Sequence, residues 1–562
     1  MRKEASFVKL GTSILTATLI AGCGEGSGAG APSGASFSVG GTISGLTGIG
    51  LVLQLNSKDN TQVATDGAFS FSTLISNGTD YTVTVLSQPA DPTQICTVTD
   101  GTGTATAAVN DIQVTCAGTS SVADEWEWRS GSDTINQRGT YGTQGTSSPS
   151  NVPGARVNAS SWTDASGNLW LFGGYGEDST GTSGDLNDLW KYSDGNWAWV
   201  SGSNLIEGVG NYGTLRSASP SGTPGARYEA VSWTDSAGNF WIFGGLGLDS
   251  TGTRGYLNDL WEYSGGEWIW VSGSNTVSQT GIYGTAGVPS NIDVPGARVD
   301  AVAWADALGN FWIFGGLGYD STGTLGILND LWKYSGGQWT WIGGSNVVNQ
   351  LGVYGTLGVA SANNNPGART KALGWAASDG ALWLFGGQGN DSNGLLCKQY
   401  AGSLPCDLND VWTFKDGSWT WVAGSNIIAQ SGIYGSMGAA ANANTPGSRF
   451  GATGWVDSTG GFWLFGGNGF DSTTAPSQIY GDLNDLWRFS QGEWTWISGS
   501  SHAGQAGSYG SLGAASTGAA PGARDGAVSW IDAQGDLWLF GGANVLSVAS
   551  GGSFNDLWEY QP

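Results

Sequence analysis

Between residues 36 and 118 apolar and polar positions alternate in short runs, "FSVGGTISGL", "GLVLQLNS", "GAFSFST", "YTVTVLSQ", "CTVTDGTGT" and "DIQVTC". A period of two puts one side of each run in a core. The Gly, Asn and Asp residues between the runs are turn formers, so the segment 36–118 reads as a small β-sandwich. Beyond residue 120 the alternation persists but its composition changes to runs rich in Trp, Val, Leu and Tyr. These recur in a fixed order, seen first as "PGARVNASSW", "NLWLFGG", "LNDLWKYS" and "NWAWVSGSN", followed by a loop containing "YGT". "PGAR" or "PGSR" begins at 153, 224, 295, 366, 446 and 521, at spacings of 71, 71, 71, 80 and 75 residues. Four strand-like runs per unit predict one four-stranded sheet per unit. Such units in series predict an all-β fold in which residues 122–562 form a radial array of six sheets, a six-bladed β-propeller.

The tryptophans test that reading. All 30 fall at periodic positions if Trp126 and Trp128 in "EWEWRSGS" belong to the last unit, which ends at "FNDLWEYQP" without a fourth run of its own. Residues 125–130 are therefore expected to pair with the final strand, close the ring and cover a sheet edge. The unit resembles the kelch family, in which an Arg-led first strand is followed by a second ending in Gly-Gly. Here the doublets are Gly173-Gly174, Gly244-Gly245, Gly315-Gly316, Gly386-Gly387, Gly466-Gly467 and Gly541-Gly542, with Trp197, Trp268, Trp339, Trp419 and Trp494 on the fourth strand. The resemblance implies a propeller fold. The units here are longer than is usual in that family because of the "YGT" inserts.

The N-terminus carries Arg2, Lys3 and Lys9 before an apolar run that ends "TLIAGC". This pattern predicts an export signal over residues 1–22. Ile20-Ala21-Gly22-Cys23 resembles a bacterial lipobox, which implies lipidation of Cys23 and a flexible tether over 23–35. The expected location is the cell envelope, at the outer membrane if the cell is Gram-negative, with lipid as the only membrane contact. Four other cysteines remain, and their closeness in sequence pairs Cys96 with Cys116 and Cys397 with Cys406, as an oxidising compartment allows. The formal charge of -25 disfavours nucleic acid as a partner.

Candidate chemistry is sparse. His502 is the single histidine, so a site built from several His is excluded. That includes the copper site of galactose oxidase, the best-known enzyme on a kelch-type propeller. "TDASGNLW" resembles the Asp box of sialidases, but its spacing is Asp164-x-x-Gly167-x-x-Trp170, and it reads as a hairpin turn. Six first-strand Arg, from Arg156 to Arg524, suggest one ion pair per unit with an Asp such as Asp188 or Asp259. Asp178, Asp249, Asp320, Asp391 and Asp471 recur beside Ser, Thr and Gly; they read first as turn anchors and second as calcium ligands. One Tyr per insert, such as Tyr141 and Tyr212, reads as loop packing before sugar stacking. Function is expected where the repeats diverge. The third position of the first strands holds Asn158, Glu229, Asp300 and Lys371, while the extended loops add Lys398, Tyr400 and Tyr480. These are the ligand-contact candidates of a monomeric binding module for a protein or glycan. A carbohydrate-active enzyme using carboxylates at the mouth is the alternative, and a purely structural envelope protein is the third reading.

Overall fold

The structure is a computed structural model that describes residues 35–46, 48–89, 94–118, 125–393, 406–474, 478–516, 518–544 and 551–562. The chain divides into two compact units, Met1–Thr119 and Ser120–Pro562. The described residues form strands and no helix. Cys23, Cys397, Lys398 and Tyr400 lie outside the described residues.

In the first unit two four-stranded sheets share one core. One contains Val39–Ser44 and Val109–Gly118, paired in parallel, and the other is built around Leu51–Leu55 and Thr79–Ser87. Alternate residues point inward from both, among them Val39, Ile43, Leu51, Leu53, Val83 and Val114. Cys96 and Cys116 stand directly opposite each other on antiparallel strands and are joined by a disulfide, with Cα atoms 3.9 Å apart.

Among the described residues, the second unit contains six sheets of four or more strands. In the first, Arg156–Val157 and Ser160–Thr163 both pair with Leu169–Glu177, which pairs with Ser183–Ser193 and then Asn196–Ser201. The first strand of the repeat is thus broken at Asn158, which has φ 53°. Apolar side chains of each sheet pack on the next. Trp162 stacks on Phe240 of the second sheet at 3.7 Å, and Trp375 on Phe462 of the fifth at 3.9 Å. The series returns on itself, since Val528, Trp530 and Phe540 of the last sheet share a core with Leu169, Leu171 and Trp190 of the first. Repeated four-strand sheets joined in this way fit a β-propeller.

The glycine doublets make that close approach possible. Gly173 has φ 63°, and a Cβ there would lie 2.7 Å from the carbonyl oxygen of Arg227 in the next sheet. Gly541 stands in the same relation to Arg156, 2.7 Å from its carbonyl oxygen, across the join between last and first sheets. Only a residue without a side chain combines this backbone angle with this contact.

Glu125–Ser130 pairs antiparallel with Leu557–Gln561, setting Trp126 opposite Tyr560 and Trp128 opposite Trp558. The sheet order is Glu125–Ser130, Leu557–Gln561, Leu537–Phe540, Val528–Ile531, so both ends of the second unit meet in one sheet. The equivalence extends past the strand: Ser132 N donates to Asn555 Oδ1 at 3.1 Å, as Ser203 N does to Asn187 Oδ1 at 3.1 Å.

Candidate functional site

Each first-strand Arg is buried and fixed by an ion pair. Arg156 donates from Nη1 and Nη2 to the two oxygens of Asp188 at 2.7 and 2.8 Å, and from Nη1 to the Gly173 carbonyl at 2.8 Å. Asp188 Oδ2 also accepts from the Tyr141 hydroxyl at 2.6 Å and the Trp190 indole at 2.7 Å. The same cluster recurs in every sheet, as Arg227 with Asp259, Arg298 with Asp330, Arg369 with Asp410, Arg449 with Asp485 and Arg524 with Asp556. Both ions are buried in all six, and bidentate pairing with added donors offsets their desolvation. The insert tyrosines are thereby used for packing: each hydroxyl donates to the Asp of its cluster, and Tyr141, Tyr212, Tyr354 and Tyr434 are buried.

Two residues beyond each Arg the chain reaches the axis. The backbone N–H of Glu229 donates to the carbonyl of Asn158, Asp300 to Glu229, Lys371 to Asp300, Gly451 to Lys371, Gly526 to Gly451 and Asn158 to Gly526, at 2.8–3.2 Å. Six hydrogen bonds close a circle through six sheets. All six residues have positive φ, between 53° and 63°. For the four that are not glycine this conformation costs about 1–2 kcal/mol each, and the circle supplies the constraint that holds it.

The circle surrounds a cavity of about 180 Å³, floored by the alanines that follow, such as Ala159 and Ala230. Four of the sequence-predicted contact residues therefore meet at one place. Lys371 Nζ lies 3.0 Å from Glu229 Oε1 and 3.8 Å from Asp300 Oδ2. Asn158 Nδ2 donates to Glu229 Oε1 at 3.2 Å. Burial, reinforced by the Glu229 charge, pushes the Asp300 carboxyl well above the usual carboxylate range despite Lys371. The Lys371 ammonium is held charged: burial opposes this, but Asp300 and Glu229 outweigh it.

Two further acids are shifted upward. Asp525, next to Gly526, is pushed up to about 6 by burial and by Asp482, with Lys371 opposing. Asp407 is pushed up to about 7 by burial, opposed by hydrogen bonds from Gln388 and Tyr480. Tyr480 opens the strand Tyr480–Ser490 and packs edge-on against Phe470, 5.2 Å away. It belongs to this acidic sector and not to the circle. The first two sheets differ there, bringing Tyr175 and Tyr228 edge to face at 5.8 Å. Comparison of the third position across repeats pointed to Asn158, Glu229, Asp300 and Lys371. The same comparison one residue earlier, where Asp525 stands against Val157, Tyr228, Val299, Thr370 and Phe450, marks the acid that was missed.

The recurrent loop Asp residues do other work. Asp178 Oδ1 accepts from the Thr180 amide and hydroxyl, both at 2.7 Å, and from Thr182 N at 3.1 Å, while Oδ2 accepts from Ile206 N at 3.3 Å. Asp249 and Asp320 repeat this pattern, and Asp391 and Asp471 keep its outline. Burial favours the neutral form of Asp178, Asp249 and Asp320, yet these donors outweigh it and hold the carboxyls below the usual range. This is the geometry of a turn anchor, and N–H dipoles aimed at each oxygen oppose the calcium reading. Asp164 is similar, accepting from Ser166 N, Asn168 N and the Trp170 indole within a hairpin turn. His502 is exposed, its Nδ1 3.5 Å from Asp471 Oδ2.

No protein-family model and no curated protein matches the chain. Among solved structures it is similar to YjhT, at 15% identity over 72% of this chain and 95% of that one, with a TM-score of 0.42. It is also similar to a fungal alcohol oxidase of the AA5 family in complex with copper, at 11% identity over 75% and 77% with a TM-score of 0.38. A protein of unknown function from Dyadobacter fermentans aligns at 10% identity over 78% and 98%, again with a TM-score of 0.38. At identities of 15% or less, no chemistry passes from these proteins to this chain.

Proposed function

We propose that this is an exported lipoprotein, anchored through Cys23 and residing at the outer membrane where the cell is Gram-negative. A small β-sandwich then precedes a six-bladed, kelch-like β-propeller, and the propeller is a glycan-binding module whose ligand enters the central cavity. The observation that carries this reading is the contrast between scaffold and circle. Arg, Asp and Trp repeat unchanged in all six sheets, whereas the six circle positions hold Asn158, Glu229, Asp300, Lys371, Gly451 and Gly526. Carboxylates, an amide and an ammonium converge on a volume of about 180 Å³, which suits one sugar ring and its hydroxyls. Tyr175, 40% exposed, offers a ring face close to this region.

A carbohydrate-active enzyme is the second reading, supported by one feature. Asp300 retains a proton to higher pH than an ordinary carboxyl, beside Glu229, and such a pair can divide acid and base roles. Calorimetric titration with a panel of neutral, acidic and amino oligosaccharides tests the binding role. Glu229→Gln is expected to weaken whichever sugar binds, and chromatography of the same mixtures reports cleavage. If no saccharide in the panel binds while an envelope protein does, the glycan reading is wrong. Cys23→Ser is expected to release the protein from the membrane fraction, and retention there would count against lipidation.

A further inference from the structure

The circle is not evenly filled. Four of its positions carry side chains that are bonded to one another, and the fifth and sixth are Gly451 and Gly526. The space that side chains would occupy at those glycines is bordered by oxygen. Over Gly526 that space is already taken by the Asn158 side chain, since a Cβ there would lie 2.5 Å from its Oδ1, whereas one on Gly451 would lie at ordinary contact distance, 3.4 Å, from Asp525 Oδ2. Because Asn158 Nδ2 donates to Glu229, its amide orientation is set and the acceptor end faces the glycine side. The cation of the circle, Lys371, is already engaged with Glu229 and Asp300. A group entering over the glycines therefore meets a carboxylate and an amide oxygen; Lys371 is the nearby cation and acts on Asp525, but its ion pairs are with Glu229 and Asp300.

We infer that the glycine side of the circle is a subsite for a primary ammonium, so that the glycan is one with free amino groups. The inference rests on the glycan reading and narrows it. An ammonium supplies three donors and one positive charge, matching Asn158 Oδ1 and Asp525 while offsetting the excess of carboxylates over Lys371. A neutral hydroxyl supplies one donor and leaves that excess unchanged. An N-acetyl group removes the charge and adds bulk where the glycines leave limited room.

Asp525 also makes the subsite sensitive to pH. Its carboxyl is pushed up to about 6 by burial and Asp482, with Lys371 opposing and Glu229 adding to the rise; the Tyr480 hydroxyl stands in the same field. At pH 5 Asp525 is largely protonated, so an entering ammonium must displace that proton. At pH 7 it is ionised and none is displaced.

The experiment is calorimetric titration of the soluble protein with glucosamine trimer, its fully N-acetylated counterpart and glucose trimer, at pH 5 and pH 7. Loss of a charge-assisted contact predicts that the amino trimer binds at least about tenfold tighter than the other two at pH 7. Asp525→Asn is expected to remove that preference by weakening the amino trimer far more than the glucose trimer. In the parent, the preference shrinks at pH 5, and repetition in buffers of different ionisation enthalpy shows proton release with the amino trimer; this readout needs no variant. If the three trimers bind alike and Asp525→Asn changes nothing, the ammonium subsite is wrong and the glycan reading stands. If no saccharide binds but a lysine-rich peptide does so in an Asp525-dependent way, the subsite is retained and the glycan reading falls. If neither class binds, both fail.

Discussion

Asp259 stands for the residue-scale logic of the second unit, because four donors meet on its two oxygens. Arg227 contributes two at 2.7 and 2.8 Å, Tyr212 one at 2.6 Å and Trp261 one at 2.7 Å. An Asn there would keep the shape but turn a donor toward donors and leave Arg227 buried without a counter-charge. Breaking one partner of a buried pair typically costs about 3–5 kcal/mol. Asp259→Asn is accordingly expected to lower the stability of this unit by about that amount, read from urea unfolding; a loss below about 1 kcal/mol would mean that the pair acts like a surface salt bridge. Asp407 carries the opposite sign. Its folded-state carboxyl is raised to about 7, so between the ordinary carboxylate range and pH 7 the folded chain binds the proton and the unfolded chain does not. Its contribution to stability is therefore present at low pH and is lost as pH rises through 7. Asp407→Asn should melt higher than the parent at pH 8, with the gap narrowing toward pH 5. A gap that does not depend on pH would exclude this origin.

Among the elements, Glu125–Ser130 has the most to say about how far the sequence could be read. Thirty Trp in register and a final unit lacking its fourth run pointed to its place, and the pairing of Trp128 with Trp558 is found. Deleting residues 125–130 would bare the hydrogen-bonding edge of Leu557–Gln561 and remove Trp126, which is 3% exposed. The shortened protein is expected to melt lower and to self-associate on gel filtration, since bare edges recruit other strands; an unchanged monomeric melt would remove the strand from the closing role. Strands and turns were legible because period-two alternation, Gly-Gly and Asp-x-x-Gly are local signals. The break in each first strand was not. Glu229, Asp300 and Lys371 disfavour positive φ on local grounds, and hydrogen bonds from residues about 70 positions away impose it. Gly451 and Gly526 at the matching positions were the available hint. The course of the inserts was not legible for a related reason. Ser147–Ser148 pairs with Asn196–Ser201, so the insert lies along the outermost strand and shields its edge, a contact that no short motif announces.

Across the second unit as a whole, closure differs from every other junction. Five sheets take their strands from one continuous stretch, while the last combines residues 125–130 with residues 528–561. The two ends of the second unit are thus locked by strand pairing, and separating the first sheet from the last requires tearing a sheet apart. Elsewhere a third strand passes to a fourth through a two-residue turn, Asp194-Gly195 between Ser193 and Asn196. A permutant in which residues 125–130 follow Gln561 through Asp-Gly would restore that arrangement in the last sheet and keep all of its pairs. It would also move the chain break to a place where two sheets meet without a strand pair, through side chains, such as Trp530 donating to the Trp170 carbonyl at 2.8 Å, and through a few backbone hydrogen bonds, among them Arg156 N to Phe554 O and Gly542 N to Arg156 O. The permutant is expected to fold with the same strand content but to unfold at lower temperature and over a broader range, because its first and last sheets can separate without breaking a strand pair. Equal midpoints and widths in circular dichroism melts would show that packing and the backbone hydrogen bonds between first and last sheets suffice to close the ring, and that the shared sheet adds nothing to its stability.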